Sequence, residues 1–277
     1  MSHAHEAAGW DLDAWVVVPL ALAISIYGIG LVTLRRRSLS KQWHHRLTPA
    51  LAYFAGCLTL ILALVSPAHA LAEQLFTWHM IEHEIIMAVA APLLVVGHPI
   101  GLLLWGVPRA LRLWLTRAAR HEAVQCFWTW LIRPINATLI HGVAIWAWHL
   151  PVLFEAAVTH PLWHRLQHVC FLVSALLFWY SMLRRTSRGE AIWHLFFTML
   201  HTSLLGALLA VAPRVLYVAQ TAHSLAWGLT PLEDQQLAGI FMWVPAGTVY
   251  AGAALYCAAR WIRPGGTDGT YRRRLVR

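Results

Sequence analysis

Charge is what this chain has least of: only 12% of its 277 residues are Asp, Glu, Lys or Arg, against 59% hydrophobic residues and a mean hydropathy of +0.57. Soluble domains carry about 25% charged residues, so a single soluble domain is excluded. Lysine is reduced to one residue, Lys41, in a polar loop. A retinal protein needs a lysine inside its bundle for the Schiff base, so that class falls away. The four cysteines, Cys57, Cys126, Cys170 and Cys257, show no C-x-x-C spacing. Neither a disulfide framework nor a zinc knuckle can be read from them, and thiol or quinone redox enzymes would want a reactive pair. No internal repeat is evident, which argues against a transporter built from inverted halves. The opening MSHAHEAAGWDLDAW has Glu6, Asp11 and Asp13 where a signal peptide has basic residues, so the N-terminus is expected to stay on the mature protein.

What the chain has instead is apolar length. Segments of about 20 apolar residues, enough to cross the hydrocarbon core, recur at roughly 15–34, 48–65, 78–96, 134–152, 162–183, 192–212 and 232–259. Between them the basic residues sort by side: 19 of 21 Lys and Arg fall in alternate loops and at the C-terminus, and only Arg165 and Arg214 fall opposite. The net charge of +9 therefore records orientation rather than a nucleic-acid partner. The expected fold is all-α: a polytopic bundle of seven transmembrane helices, N-terminus outside and C-terminus cytoplasmic. Residues 1–14 form an outer segment, 15–260 the membrane domain and 261–277 a basic cytoplasmic tail. Residues of about 100–121 carry Arg109, Arg112, Arg117 and Arg120 at helical spacing and read as one cytoplasmic amphipathic helix on the membrane surface. Membrane lipids are partners on this reading, the tail's basic run suiting anionic headgroups.

Seventeen histidines are the second feature. Polar groups inside a membrane are costly and mark function by default. His79, His83 and Met87 are spaced i, i+4, i+8, which sets two imidazoles and a thioether on one helical stripe. His164 and His168 repeat the spacing in the fifth span, and His149 ends the fourth. At about 1.5 Å rise per residue, His79, His83, His149 and His168 lie within two turns of the outer edge on three helices. Converging there, they would suit Zn, Cu, Fe or Ni, the thioether favouring Cu(I); no carboxylate cage for a hard cation is visible. His194 and His201 share a face of the sixth span, with His201 the weaker candidate. The alternative is that these imidazoles only hydrogen-bond between helices. His3, His5, His44 and His45 lie in polar flanks, and most of the 16 tryptophans mark the two interfaces; Trp146 and Trp148 stand near the histidine end of span four.

The last span opens with a legible capping box, Thr230, Pro231 and Glu233. Glu233, Asp234, Gln235 and Gln236 then either cap the helix or face a partner outside the membrane.

These residues also carry a resemblance. HMIEHEIIMAVAAPLLVVGHP at 79–99, WHLPVLFEAA at 148–157, LQHVCFLVSALLFW at 166–179 and LTPLEDQQLAGIFMWVPAG at 229–247 resemble the CtaG family of bacterial cytochrome c oxidase assembly factors. The similarity is to the multi-span, caa-type members, not the single-span copper-delivery protein sharing that name, and it covers roughly residues 45–258. It implies a role in making active haem–copper oxidase, through copper supply to an oxidase subunit, in a bacterial plasma (inner) membrane. With no lysine in the bundle and no reactive cysteine pair, the chain is read as not an enzyme. Two other readings stay open: a haem-binding cytochrome with bis-His ligation, and an assembly scaffold without metal.

The sorting of basic residues yields a direct test. A reporter active only outside the membrane should be silent when fused after Arg277 and active when fused near Ala157; the reverse pattern overturns the orientation.

Overall fold

The computed structural model describes residues 9–37 and 44–262, and every regular element among them is helical. His3, His5, Lys41, Trp43 and the tail beyond Ile262 lie outside the described residues. Two long helices open the bundle, α1 (Ala14–Arg37) and α2 (His44–Leu64), followed by the short α3 (Pro67–Gln74), capped by Ser66, whose hydroxyl accepts from Ala68 N at 3.2 Å. The third span is composite. It begins as α4 (Phe76–Glu84), widens into a π-helical segment (Ile85–Ala90) and finishes as α5 (Ala91–Val96). Pro92 lies just past the widened turn, and a residue without an N–H breaks the regular ladder there.

Three further helices separate this span from the next: α6 (Pro99–Gly106), α7 (Arg109–Ala118) and α8 (Glu122–Leu131). The amphipathic stretch expected as one helix is therefore two, because the chain turns extended at Val107 and Pro108. Only α7 keeps an exposed basic face; α6 instead packs against α1, where Gly30 meets the Leu102 carbonyl and Gly106 meets that of Ile26.

The fourth span is broken as well. Helix α9 (Pro134–Trp148) stops at His149 and continues as α10 (Pro151–Thr159) after a bend of 72°. Pro151 cannot donate back into the α9 ladder. The remaining long helices are α11 (Pro161–Arg184), α12 (Arg188–Ala210) and α13 (Pro231–Ile262), the last two joined by a loop with a single 3-10 turn at Ser224–Trp227. Six continuous helical segments are long and apolar enough to cross a membrane, and the α9–α10 pair makes a seventh if read as one bent span. Apolar side chains such as Leu22, Ile29, Leu58, Val143, Val173, Leu204 and Leu255 cover the outside, as a lipid-facing surface requires.

Inside, aromatic residues dominate. Phe76, Phe154, Phe171, Phe178, Trp179 and Tyr250 belong to one buried cluster, and Tyr27 stacks on Tyr53 at 3.7 Å in a second. One end of the bundle gathers Asp11, Asp13, α3, the start of α4, Arg165 and the loop before α13: Asp11 N donates to Val65 O, Asp13 pairs with Arg165 at 3.0 Å, and Trp227 reaches Gln74. The opposite end is tied by basic side chains, with Arg184 donating to Val95 O and Arg188 to Arg260 O.

The most extensive helix pair, α12 with α13, crosses at Gly206 and Gly239. A Cβ on Gly239 would stand 2.5 Å from Ala210 N and 2.6 Å from Gly206 O, backbone atoms that cannot rotate away. Gly239→Ala should therefore cost about 1–3 kcal/mol. Gly252→Ala, with no atom within 4 Å of its added Cβ, should be neutral or slightly stabilising. Thermal unfolding in detergent separates them, and equal midpoints would refute the close crossing.

Candidate metal centre

The histidine site starts from a carboxylate far away in sequence. Asp234, fully buried near the start of α13, accepts from Phe76 N and Thr77 N at 2.9 Å each, from Thr77 Oγ1 at 2.7 Å and from Ser224 Oγ at 2.7 Å. The first N–H groups of a helix have no partner within it, and a carboxylate is favoured there by charge as well as by hydrogen bonding. Asp234 thus caps α4 from another helix and sets the rotation at which its side chains enter the core.

From that start, successive turns of α4 bring His79, Glu82 and His83 inside, exposed by 3%, 4% and 1%. The His79 and His83 rings lie 4.3 Å apart, edge to face. Helix α11 presents His164 and His168 in the same manner, 4.4 Å apart. Across the two helices His79 faces His164 at 5.7 Å and His83 faces His168 at 5.3 Å. Four of the imidazoles expected from sequence therefore come together. Phe154 packs on His79 at 5.2 Å and Phe171 on His83 at 4.7 Å; the same two rings touch His149. His149 sits at the C-terminus of α9, with Nδ1 2.6 Å from Ile145 O and its own carbonyl accepting from Tyr217 Oη at 2.6 Å. A ring whose Nδ1–H is donated to a carbonyl keeps its Nε2 lone pair available.

Two residues absent from the sequence reading complete the group. Glu82 places Oε2 at 2.9 Å from His69 Nδ1 and Oε1 at 2.9 Å from His168 Nε2. His69, on α3, stacks on His164 at 5.8 Å, and its Nε2 is 3.8 Å from Asp11. Burial works against the charged form of His69, but the hydrogen bond and charge of Glu82, with Glu73 and Asp11 beyond, outweigh it and hold its pKa above the ordinary value. The only signal for Glu82 in the sequence is its place between two histidines in HMIEHE, and His69 shows only as a polar residue in a short connection.

Several expected residues lie elsewhere. Met87 falls in the π-helical segment and is buried with the apolar cluster of Met80, Phe171 and Ala175, while its carbonyl accepts from Trp179 Nε1. His201 sits on α12 against Trp146 and Phe197, and none of the ring contacts of the histidine group includes it. Asp234 and Gln235, considered as partner-facing, turn inward instead. Gln235 accepts from Leu216 N and donates to Arg214 O, and the half-buried Gln236 donates to Ala212 O, so both side chains hold the loop after α12. Only Glu233 is exposed, and it closes the capping box with Thr230 at 2.8 Å. A separate buried network, His141 with Ser174 and Tyr250, lies deeper on α9.

What remains unpaired decides the chemistry. In the group, His79 Nε2, His83 Nδ1, His83 Nε2, His149 Nε2 and His168 Nε2 are buried without hydrogen-bond partners, as are Glu82 Oε1 and the amide of Gln167; away from it, so are Thr198 Oγ1 and His201 Nε2. Buried polar groups are normally satisfied, so these nitrogens form a donor set without an internal use. Neutral imidazole is the ligand form for first-row transition metals. No group of three or more His, Cys, Asp or Glu among the described residues already stands in metal-holding geometry; the donors are adjacent but not drawn together.

The fold and this donor set define a class: a polytopic helical membrane protein with a buried histidine centre at one end of its bundle. Residues 25–264 match the family model of the cytochrome c oxidase caa3 assembly factor, and the chain belongs to that family. Neither a curated protein nor a solved structure gives a match.

The cap carries its own test. Removing a charged acceptor from buried donors should make Asp234→Ala lose about 2–4 kcal/mol, whereas Glu233→Ala, at an exposed position, should change the unfolding midpoint little. Similar losses in the two variants would show that Asp234 is no special anchor.

Proposed function

We propose that this assembly factor is a non-catalytic copper carrier: it holds a copper ion among the imidazoles of His79, His83, His149, His164 and His168 and passes it to a cytochrome c oxidase subunit. The reading rests on one observation, the four imidazole nitrogens of His79, His83 and His149 buried without partners. Leaving such a group unsatisfied costs about 1–3 kcal/mol each, and a metal ion removes that cost for several of them together. Imidazole donors suit copper, and a site built from them can release its ion when a partner offers competing ligands. Haem fits less well. Rings already in contact at 4.3–5.7 Å and backed by Phe154 and Phe171 leave no slot for a macrocycle between facing histidines.

The same reading places the histidine end outside a bacterial plasma membrane and the basic end in the cytoplasm. The distribution of Lys and Arg supports that orientation, and oxidase assembly fits that membrane.

Copper analysis of the purified protein after loading tests the centre. His79→Ala with His83→Ala should reduce copper to background while the protein stays folded, and His201→Ala should retain the wild-type content. Full occupancy in the double variant overturns the assignment. A wild type that takes up no copper overturns the carrier reading in favour of a metal-free scaffold.

A further inference from the structure

Three of the five imidazoles of the proposed centre, His79, His83 and His149, are buried, and a sixth ring, His69, stands beside the two that are partly exposed, His164 and His168. His69 belongs to α3, which is outside the membrane-spanning helices. Its side chain is 11% exposed and lies 3.8 Å from the carboxylate of Asp11, which is 46% exposed. On the inner side its ring meets His164 at 5.8 Å and His168 at 6.2 Å, and these in turn meet His79 and His83. A continuous file of donors thus runs from an exposed carboxylate, through one imidazole outside the membrane, to the buried set. We propose that Asp11 and His69 form the entry and release port for the metal ion, an inference that rests on the copper reading above.

Three features favour a port over a simple tether. The segment before α1 is already held by its backbone, Asp11 N to Val65 O at 2.9 Å, so the Asp11 side chain is not needed to fasten it. Carboxylates surround His69, with Asp11 outside, Glu73 near and Glu82 beneath, and acidic walls concentrate cations at a mouth. Glu82, bonded to His69 through one oxygen and in contact with His168 through the other, is a positioning residue. It fixes Nδ1 of His69 and leaves Nε2 directed towards Asp11. Binding at His69 Nε2 needs the neutral ring, so a proton held there leaves to water as the metal binds; passage inward is then ligand exchange, a bond from the metal to His69 Nε2 breaking as one to His164 or His168 forms, with no change of oxidation state.

The test separates rate from occupancy. Metal-free protein in lipid nanodiscs is mixed with cuprous ion held by bathocuproine, and loss of the chelate's visible band follows uptake. His69→Ala and Asp11→Asn should slow uptake about ten-fold while final copper content stays at the wild-type level. Asp11→Asn keeps an oxygen to accept from Asp13 N. His69→Gln keeps a donor facing Glu82 and should be slow as well, which guards against a folding defect. Uptake at the wild-type rate in His69→Ala and Asp11→Asn overturns the port. Loss of final copper in His69→Ala also overturns it, making His69 an ordinary ligand of the centre. Both outcomes leave the carrier reading standing, whereas a wild type that takes up no copper removes that reading and the port together.

Discussion

The carboxylate of Asp234 is the contact on which the site depends. It joins the beginning of α13 to the beginning of α4 and holds Ser224 of the intervening loop at the same point. Side-chain direction on a helix is fixed by rotation about its axis, so a cap that sets where α4 starts also sets which way His79, Glu82 and His83 look. Gln235 and Gln236, the next residues, fasten the loop after α12. A short acidic and amide-rich block therefore locates three elements at once in a region where water is scarce and each unpaired backbone group would be costly.

Below that anchor the histidine group is divided by hydrogen bonding. In its outer part only His69 is bonded, to Glu82; His168 Nε2 lies 2.9 Å from the same carboxylate but has no hydrogen-bond partner. Inside, His79, His83 and His149 likewise retain unpaired nitrogens against Phe154 and Phe171. Aromatic walls offer no hydrogen bonds and exclude water, so they preserve the inner nitrogens as donors for something else.

Hydropathy and the positions of Lys and Arg were enough to read an all-helical membrane bundle, and the His79–His83 and His164–His168 pairs were legible because i, i+4 spacing puts rings on one stripe. Their convergence was not, since it depends on α4 and α11 facing each other. Met87 shows a limit of periodicity: it lies in the π-helical segment beginning at Ile85, which changes the angle per residue, and is buried in the apolar cluster with Met80, Phe171 and Ala175. Asp234 and Gln235 sit next to a capping box that looks like an exposed helix start, yet their partners lie up to 158 residues away. Glu82 escaped notice for the opposite reason. A carboxylate in an apolar span has meaning only once its two imidazole partners, one of them on α3, are known.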